Sequence, residues 1–202
     1  MSLNFFYNLL NNQTIYRLSQ AILAPGSERK LISQIKQISS NLPTGGRILD
    51  AGCGPSSRLW RINKDPIGLD ILFQYSRDFS KKGKKAVTGS IADLPFARNV
   101  FDSVWCIGVL HHLPDPVARK AIAEMILVCK SGGYVIILDA VLPNSPRYRP
   151  FAYLIRRIDR GKFMRNQAMI TSLLGDSQQW RQQRYTYTLS GLEMLECIHR
   201  KL

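Results

Sequence analysis

Two acidic residues, each closing an apolar segment, stand beside a glycine-rich turn. The run ILDAGCG (48–54) places Asp50 at the end of an apolar segment and then passes through Gly52 and Gly54. Asp70 ends the next apolar segment, sixteen residues after Gly54. Glycines let a backbone approach a ligand closely, and a carboxylate accepts two hydroxyl hydrogen bonds at once. This spacing predicts a nucleotide-like cofactor whose ribose lies on Asp70.

A second group of residues is suited to moving a proton. His111 and His112 follow the apolar segment FDSVWCIG (101–108), and Asp139 lies near the end of YVIILDA (134–140). Histidine accepts a proton near neutral pH, and a carboxylate can orient it or act as the base itself. We therefore expect His111, His112 or Asp139 to take a proton from a substrate. The alternative is that one histidine of this tandem pair packs inward with a satisfied hydrogen bond.

A parallel sheet is the element that would bring these residues together. Amphipathic stretches, such as 116–130, alternate with five apolar, strand-like segments, which are 47–52, 66–71, 85–90, 101–108 and 134–140. Two β-rich runs around Ser190-Gly191 predict an antiparallel hairpin at the sheet edge. The expected fold class is α/β, a doubly wound and mostly parallel sheet of seven strands with a C-terminal antiparallel hairpin.

The length of 202 residues favours a single domain over 1–202. Its expected parts, in chain order, are an N-terminal helical lid (1–42), a cofactor-binding core (43–142), a basic helical cap (143–179) and the hairpin (180–202). Within the lid, apolar residues at helical intervals predict one helix over 4–23 and a second from Glu28 to about Asn41.

The charge balance and the cysteine pattern indicate the class of partner and the redox environment of the chain. The chain has 28 Lys and Arg against 14 Asp and Glu, which favours an anionic partner: nucleic acid, an acidic membrane surface or a phosphorylated substrate. Four cysteines without a CxxC pair indicate reduced thiols rather than a disulfide scaffold. We found neither a signal peptide nor an apolar run of about 18 residues, so we expect a cytoplasmic protein, with peripheral membrane contact through its basic cap.

The ordered motifs resemble those of class I S-adenosylmethionine-dependent methyltransferases, specifically the methyltransferase type 11 group that includes ubiquinone and menaquinone methyltransferases. The resemblance covers about 45–142 and rests on LDAGCG (49–54), GLD (68–70), ADLPF (92–96), FDSVWCIGVLHHLPDP (101–116) and KSGGYVIILD (130–139). It implies a Rossmann-like methyltransferase fold, S-adenosylmethionine as cofactor and methyl transfer as the reaction.

The resemblance also implies which residues hold the cofactor. Around the methionine moiety it places Asp50, Ala51, Gly52, Cys53 and Gly54, and it places Asp70 on the ribose hydroxyls. Further contacts would come from Ile71 on one adenine face, from Ser90 and the Ile91 N–H on the adenine nitrogens, and from the backbone of Cys106 and Ile107 on the methionine ammonium.

Two departures from the family pattern stand out, and a separate comparison concerns metal binding. Ser56 and Ser90 occupy positions where the family often has glycine and aspartate, and a neutral contact from Ser90 is weaker than a charge-assisted one. Related metal-dependent quinone methyltransferases carry E-x-x-E-H where this chain has GVLHH (108–112), so we expect no metal.

The hypothesis about the methyl acceptor rests on the basic helical cap. Between 147 and 165 lie seven basic residues and one acid, Asp159, with interleaved aromatics. Apolar residues at i, i+3, i+4 and i+7 predict a stripe beside a cationic face, made of Phe151, Leu154, Ile155 and Ile158. Such a helix can lie on an anionic membrane or cover a pocket for an acidic acceptor, and the alternative is an ordinary lid with a solvated basic face.

We therefore expect methyl transfer to a small-molecule or lipid-like acceptor. An RNA methyltransferase and a non-catalytic S-adenosylmethionine-binding protein are the alternatives, and nucleic acid is the less favoured partner because the chain has no N-P-P-[YF] motif after its fourth strand. A nicotinamide-dependent oxidoreductase is disfavoured because Ser57 stands where G-x-G-x-x-G requires its third glycine.

Overall fold

The strands of the described residues form one seven-stranded sheet. The computed structural model describes residues 27–43, 45–158, 161–188 and 190–202. The strand order is β3-β2-β1-β4-β5-β7-β6, with parallel pairing from β3 to β5 and antiparallel pairing of β7 with both β5 and β6. The predicted doubly wound α/β fold with a C-terminal hairpin is confirmed.

The strands occur in the predicted order along the chain, and their bounds lie close to the predicted ones. The strands are β1 Ile48–Ala51, β2 Ile67–Asp70, β3 Ala86–Thr88, β4 Phe101–Ile107, β5 Cys129–Val141, β6 Trp180–Thr186 and β7 Glu193–Arg200. The α-helices are α1 Ser27–Ser40, α2 Phe73–Ser80, α3 Asp115–Val128, α4 Pro150–Ile158 and α5 Gln167–Leu173. Short 3-10 helices cover Arg58–Ile62, Leu110–His112 and Ser177–Gln179.

The core lies on both faces of the sheet because successive residues of a strand point to opposite faces. On β4, Val104 packs in an apolar cluster with Met125 of α3, whereas Trp105 packs in the opposite cluster with Ile35 of α1. The order reverses between β1 and β4, and in open α/β sheets ligands bind at the carboxyl edge beside such a reversal.

The link between β1 and β2 is short and contains a 3-10 helix rather than an α-helix. Only residues 55–66 separate Gly54 from β2, and they hold the five-residue 3-10 helix Arg58–Ile62. Ser57 caps this helix by accepting from the Leu59 N–H at 3.1 Å, and Asn63 ends it in the left-handed region. The Leu59 N–H is therefore already satisfied within the chain.

The predicted apolar stripe on α4 is divided between the outer and the inner side of the helix. Phe151 and Leu154 are exposed, whereas Ala152 is buried and Ile155 packs partly into the core. The inner face is set by Arg156, which is buried and donates to the Tyr187 hydroxyl at 2.8 Å and the Glu193 carbonyl at 2.9 Å.

Arg165 is a second basic residue of the cap that does not join a solvated face. It is buried, and its guanidinium donates to the carbonyls of Leu110 and Leu113 and to the Asp115 carboxylate, at 2.6 to 2.9 Å. The predicted cationic face is therefore smaller than the number of basic residues suggests.

Some predictions concern residues outside the described ones. These are the helix over 4–23, the side chain of Ile158, and Asp159 and Arg160. Searched over its described part, the chain has no helix of the length and apolarity that a membrane span requires.

Candidate functional site

The glycine-rich turn and Asp70 are joined by direct hydrogen bonds. The N–H groups of Gly52 and Cys53 both donate to the Leu69 carbonyl, at 2.7 and 3.0 Å, which ties the turn to the end of β2. The Gly54 N–H then donates to Oδ2 of Asp70 at 3.0 Å. The Leu72 N–H donates to Oδ1 at 3.0 Å. Each carboxylate oxygen has a further lone pair, so Asp70 is oriented while still able to accept from two hydroxyl groups.

Gly52 is required by its conformation and by its surroundings. Its φ of +83° lies in the region that favours glycine, and a Cβ built on it would fall 2.4 Å from Cγ2 of Val109. The loop that follows β4 therefore packs directly on the turn that follows β1. This contact brings the segment with His111 to the same edge as Asp70.

Asp50 lies beneath the turn rather than facing outward. It is buried, and it accepts a hydrogen bond from the Ser57 hydroxyl at 2.5 Å. Burial raises the pKa of Asp50 to about 6, against the lowering effect of the Ser57 hydrogen bond. Ser57 was singled out in the sequence only as a missing glycine, although its place before a helical stretch is the signal of an N-cap.

The neighbours of Asp50 on the turn are also enclosed. Ala51 is fully buried, and the Cys53 thiol donates to the Gly54 carbonyl at 3.3 Å. Burial, together with the nearby charges of Asp50 and Asp70, raises the pKa of Cys53 well above its ordinary value, so this thiol stays protonated. These side chains are therefore enclosed within the chain, and the turn that they support is the part of this segment that could approach a ligand through its backbone.

The residues expected at the adenine lie beside Asp70. Ile71 follows it with 70% of its surface exposed, and the Gly89 N–H donates to the Asp70 carbonyl at 3.0 Å. The next residue, Ser90, uses its hydroxyl to accept from the Ala92 N–H at 3.2 Å, and Ile91 is buried. The structure therefore gathers Ile71, Ser90 and Ile91 at one side of Asp70.

Cys106 and Ile107 close the end of β4 and are buried. β4 lies between β1 and β5, and the Gly108 N–H donates to the Leu138 carbonyl at 2.8 Å. Burial, with the charges of Asp139 and Asp50, raises the pKa of Cys106 far above its ordinary value. The contribution of these two residues to a ligand would come from their backbone.

His111 and Asp139 form a close pair at the same edge of the sheet. Nδ1 of His111 is hydrogen-bonded to Oδ1 of Asp139, and the His111 N–H donates to Oδ2 at 3.1 Å. The Ala140 N–H also donates to Oδ1, at 2.7 Å. Burial alone would raise the pKa of Asp139, but the charge and hydrogen bonds of His111 hold it below the ordinary value. Asp139 is therefore an ionised group that orients His111, and its burial disfavours it as a base acting directly on a substrate.

His112 differs from its neighbour in exposure. It is exposed, with its ring centroid 4.1 Å from that of His111. Of the two predicted histidines, the structure brings His111 into the pair with Asp139.

The cap packs on His111. The Phe163 N–H donates to the His111 carbonyl at 3.0 Å, and a Cβ built on Gly161 would fall 2.4 Å from Cδ2 of the His111 ring. Arg165 fastens the same segment to the carbonyls on either side of the histidines, those of Leu110 and Leu113. The cap residues that sequence reasoning counted as a charged surface thus include contacts to the candidate base.

A cavity of about 250 Å³ lies at the opposite edge of the sheet. Asp102 and Lys130 line it and form an ion pair at 2.8 Å. The Lys130 hydrogen bonds lower the pKa of Asp102, outweighing its slight burial. These two charges satisfy each other, so we assign no chemistry to this cavity.

Comparison with known proteins agrees with this geometry. A family model described as a methyltransferase domain matches residues 49–137. A tRNA (carboxymethyluridine(34)-5-O)-methyltransferase from Arabidopsis thaliana is 32% identical over 133 residues, covering 63% of this chain and 33% of that protein. A demethylmenaquinone methyltransferase from Renibacterium salmoninarum is 30% identical over 157 residues, covering 71% of this chain and 62% of that protein. The chain thus spans less than two thirds of the length of either relative.

A solved structure shows the same fold over nearly the whole chain. An S-adenosylmethionine-dependent methyltransferase from Thermotoga maritima matches with a TM-score of 0.67 at 15% identity, covering 98% of this chain and 100% of that one. The matched domain contains Asp50, the glycine turn, Asp70 and the segment up to Ile137. Residues 49–137 belong to the methyltransferase-domain family, and the chain around them has the fold of an S-adenosylmethionine-dependent methyltransferase.

Proposed function

We propose that the protein transfers a methyl group from S-adenosylmethionine to a small-molecule or lipid-like acceptor, and that His111 receives the proton the acceptor loses. The observation that carries this proposal is the buried His111–Asp139 pair at the edge where Gly54 meets Asp70. A cofactor-binding turn and an oriented proton acceptor at one edge suit group transfer.

The residues of the edge fit the cofactor that the family uses. Asp70 would hold the ribose hydroxyls, Ile71 would cover the adenine, and the backbone of Gly52 to Gly54 would pass beside the methionine moiety. Asp70 is pre-oriented by the Gly54 and Leu72 N–H groups, and Ile71 has an exposed side chain next to it. When bound, this cofactor supplies a methyl group on a sulfonium sulfur. The sulfur is a good leaving group because it departs as a neutral thioether.

His111 performs the step that this chain itself must provide. Its Nδ1 bond to Asp139 makes Nε2 the basic ring nitrogen when the proton lies on Nδ1. A hydroxyl acceptor would lose its proton to Nε2 as its oxygen attacks the methyl carbon, and Asp139 would stabilise the resulting imidazolium. His112 is the alternative proton acceptor, and substitution of each histidine distinguishes the two.

The acceptor class is inferred from the cap. Gly161 and Phe163 lie against His111, and their neighbour Met164 adds an apolar, half-buried side chain. An acceptor reaching His111 would therefore pass between apolar cap residues, which suits a hydrophobic molecule. We also propose a cytoplasmic location with peripheral contact to the membrane, where such a molecule is found.

RNA methylation is the second candidate function. The plant relative is named for a tRNA substrate, and this chain exposes Arg147 and Arg157 near Tyr148 and Tyr153. Arginines with interleaved aromatics can hold a nucleic acid backbone and stack on bases. A non-catalytic S-adenosylmethionine-binding protein is the remaining alternative.

Transfer of a radioactive methyl group tests these functions together. The purified chain is incubated with methyl-labelled S-adenosylmethionine and either a lipid and quinone extract or total tRNA. Label in the organic phase that is lost in the Asp70→Ala variant supports the proposal. Label in tRNA alone replaces it with the RNA function, and cofactor binding by calorimetry without any labelled product supports the non-catalytic alternative.

A further inference from the structure

The outer side of α4 and the turn before it expose large apolar side chains. Tyr148, Phe151 and Leu154 are 90%, 57% and 55% exposed. They follow one another at intervals of three residues, so Phe151 and Leu154 are neighbours on the helix surface. We call the exposed residues of 147–157 the α4 surface. Its inner counterpart, Ala152 with Arg156, is buried against the sheet.

Positive charge borders these apolar groups. Arg147 and Arg157 are exposed on the same segment, and Lys162 is exposed further along the cap. Within the described residues 147–158 and 161–165 none is acidic. Arg149 is also exposed, but it reaches Thr186, Gly191 and Glu193 and fastens the turn to the hairpin.

The α4 surface lies at the edge of the sheet that holds the candidate site. α4 follows the carboxyl end of β5, close to Asp139 along the chain. Past α4 the chain returns to His111 through Gly161 and Phe163. A partner seated on the α4 surface would therefore lie beside the cap segment that packs on His111.

We propose that the α4 surface docks on an anionic lipid membrane, with Phe151 and Leu154 entering the headgroup boundary and Arg147 and Arg157 facing lipid phosphates. Apolar side chains and cations together on one surface are the combination that binds anionic bilayers reversibly. Nucleic acid would use the arginines and aromatic rings but would gain nothing from the aliphatic Leu154, and a second copy of this basic chain would meet like charge. The docking inference rests on the proposed lipid-like acceptor, because it delivers the protein to the phase where such an acceptor lies.

Cosedimentation of the full chain with vesicles tests docking apart from catalysis. Vesicles of phosphatidylcholine alone are compared with vesicles of phosphatidylcholine and phosphatidylglycerol in equal parts. We expect retention on the anionic vesicles only, and a decrease of at least about tenfold in the double variant Phe151→Ser, Leu154→Ser. The double variant Arg147→Gln, Arg157→Gln should lower retention similarly and make it insensitive to salt.

A matched control removes exposed apolar groups elsewhere. Met169→Ser with Leu202→Ser changes two exposed residues away from α4 and should leave retention unchanged. Equal retention of the Phe151 and Leu154 variant, or equal binding to both vesicle types, overturns the proposal. So does a chain that binds tRNA through these residues, or self-associates through them in sedimentation velocity, without binding vesicles.

The outcome separates docking from the proposed function. Calorimetry with S-adenosylmethionine should give the same affinity in the wild type and in the Phe151 and Leu154 variant, because both side chains are exposed on the outer side of α4. Vesicle binding without methyl transfer contradicts the proposed function and leaves docking intact. Methyl transfer to a detergent-solubilised acceptor without vesicle binding contradicts docking and leaves the proposed function intact.

Discussion

The carboxylate of Asp139 holds His111 at two points, the ring Nδ1 through Oδ1 and the main-chain N–H through Oδ2. A residue held by both its ring and its backbone presents its second ring nitrogen in a fixed direction. Such fixing is what a proton acceptor requires, since misplacement weakens proton transfer steeply.

Substitution of His111 by glutamine should lower kcat by about 100-fold or more, because general base catalysis contributes about that much. The affinity for S-adenosylmethionine, measured by calorimetry, should change little. Asp139→Asn should also lower kcat, because an amide can place the ring proton on the wrong nitrogen. Full kcat in His111→Gln together with a loss in His112→Gln would assign the base to the exposed neighbour instead.

Asp70→Ala should weaken S-adenosylmethionine binding by about 1–3 kcal/mol, which is the range for losing a buried or charged hydrogen-bond partner. Titration calorimetry measures this directly. Asp65→Ala is the matched control, because Asp65 precedes the same strand and has a side chain that is 72% exposed. Equal affinities of the two variants would remove Asp70 from the site.

Asp50 predicts a pH dependence of stability. The pKa of Asp50 is about 6 in the folded chain and 3.8 when the side chain is exposed. Between these two pH values the folded chain keeps the proton on Asp50, whereas the unfolded chain releases it. The contribution of Asp50 to stability is therefore full below about pH 4 and is lost as the pH rises through about 6, a change of about 3 kcal/mol. Asp50→Asn removes this contribution, since the amide does not titrate.

Urea unfolding at several pH values checks that expectation. The difference in unfolding free energy between Asp50→Asn and wild type should shift in favour of the variant by about 3 kcal/mol from about pH 4 to about pH 7. Asp65→Asn, at an exposed position, should show no such trend. A constant difference for Asp50→Asn would mean that the folded chain leaves its pKa unchanged.

Arg165 should matter to both stability and activity. Arg165→Ala leaves the Leu110 and Leu113 carbonyls without their donor, so we expect a loss of about 3 kcal/mol in unfolding free energy. Because those carbonyls flank the histidines, kcat should fall as well. Arg157→Ala, at an exposed position, should cost about 0.5 kcal/mol or less. Comparable losses in the two variants would contradict the burial of Arg165.

Local patterns were sufficient to predict the sheet and the turn. The position of Asp70 at the end of β2 was predictable because the end of an apolar segment marks the carboxyl edge of a parallel sheet. The hairpin followed from two β-rich runs around Ser190-Gly191, which β6 and β7 confirm. In each case, the signal lies within a few residues of the feature.

Long-range partners explain what the sequence could not predict. Arg156 and Arg165 look alike in a basic segment, but their partners are Tyr187 and Glu193 in one case and Asp115 in the other, about 30 to 50 residues away. Composition counts such arginines as surface charge. The pairing of Asp50 with Ser57 was missed for another reason, because the G-x-G-x-x-G pattern of dinucleotide-binding proteins drew attention to the absent glycine.

The close approach of Gly161 to the imidazole couples two properties that many enzymes keep apart. Any replacement of the cap that admits a different substrate also alters what surrounds the ring of His111, the proposed proton acceptor. In this protein, selectivity and reactivity should therefore diverge together during evolution, and grafting a cap from a relative should exchange both at once.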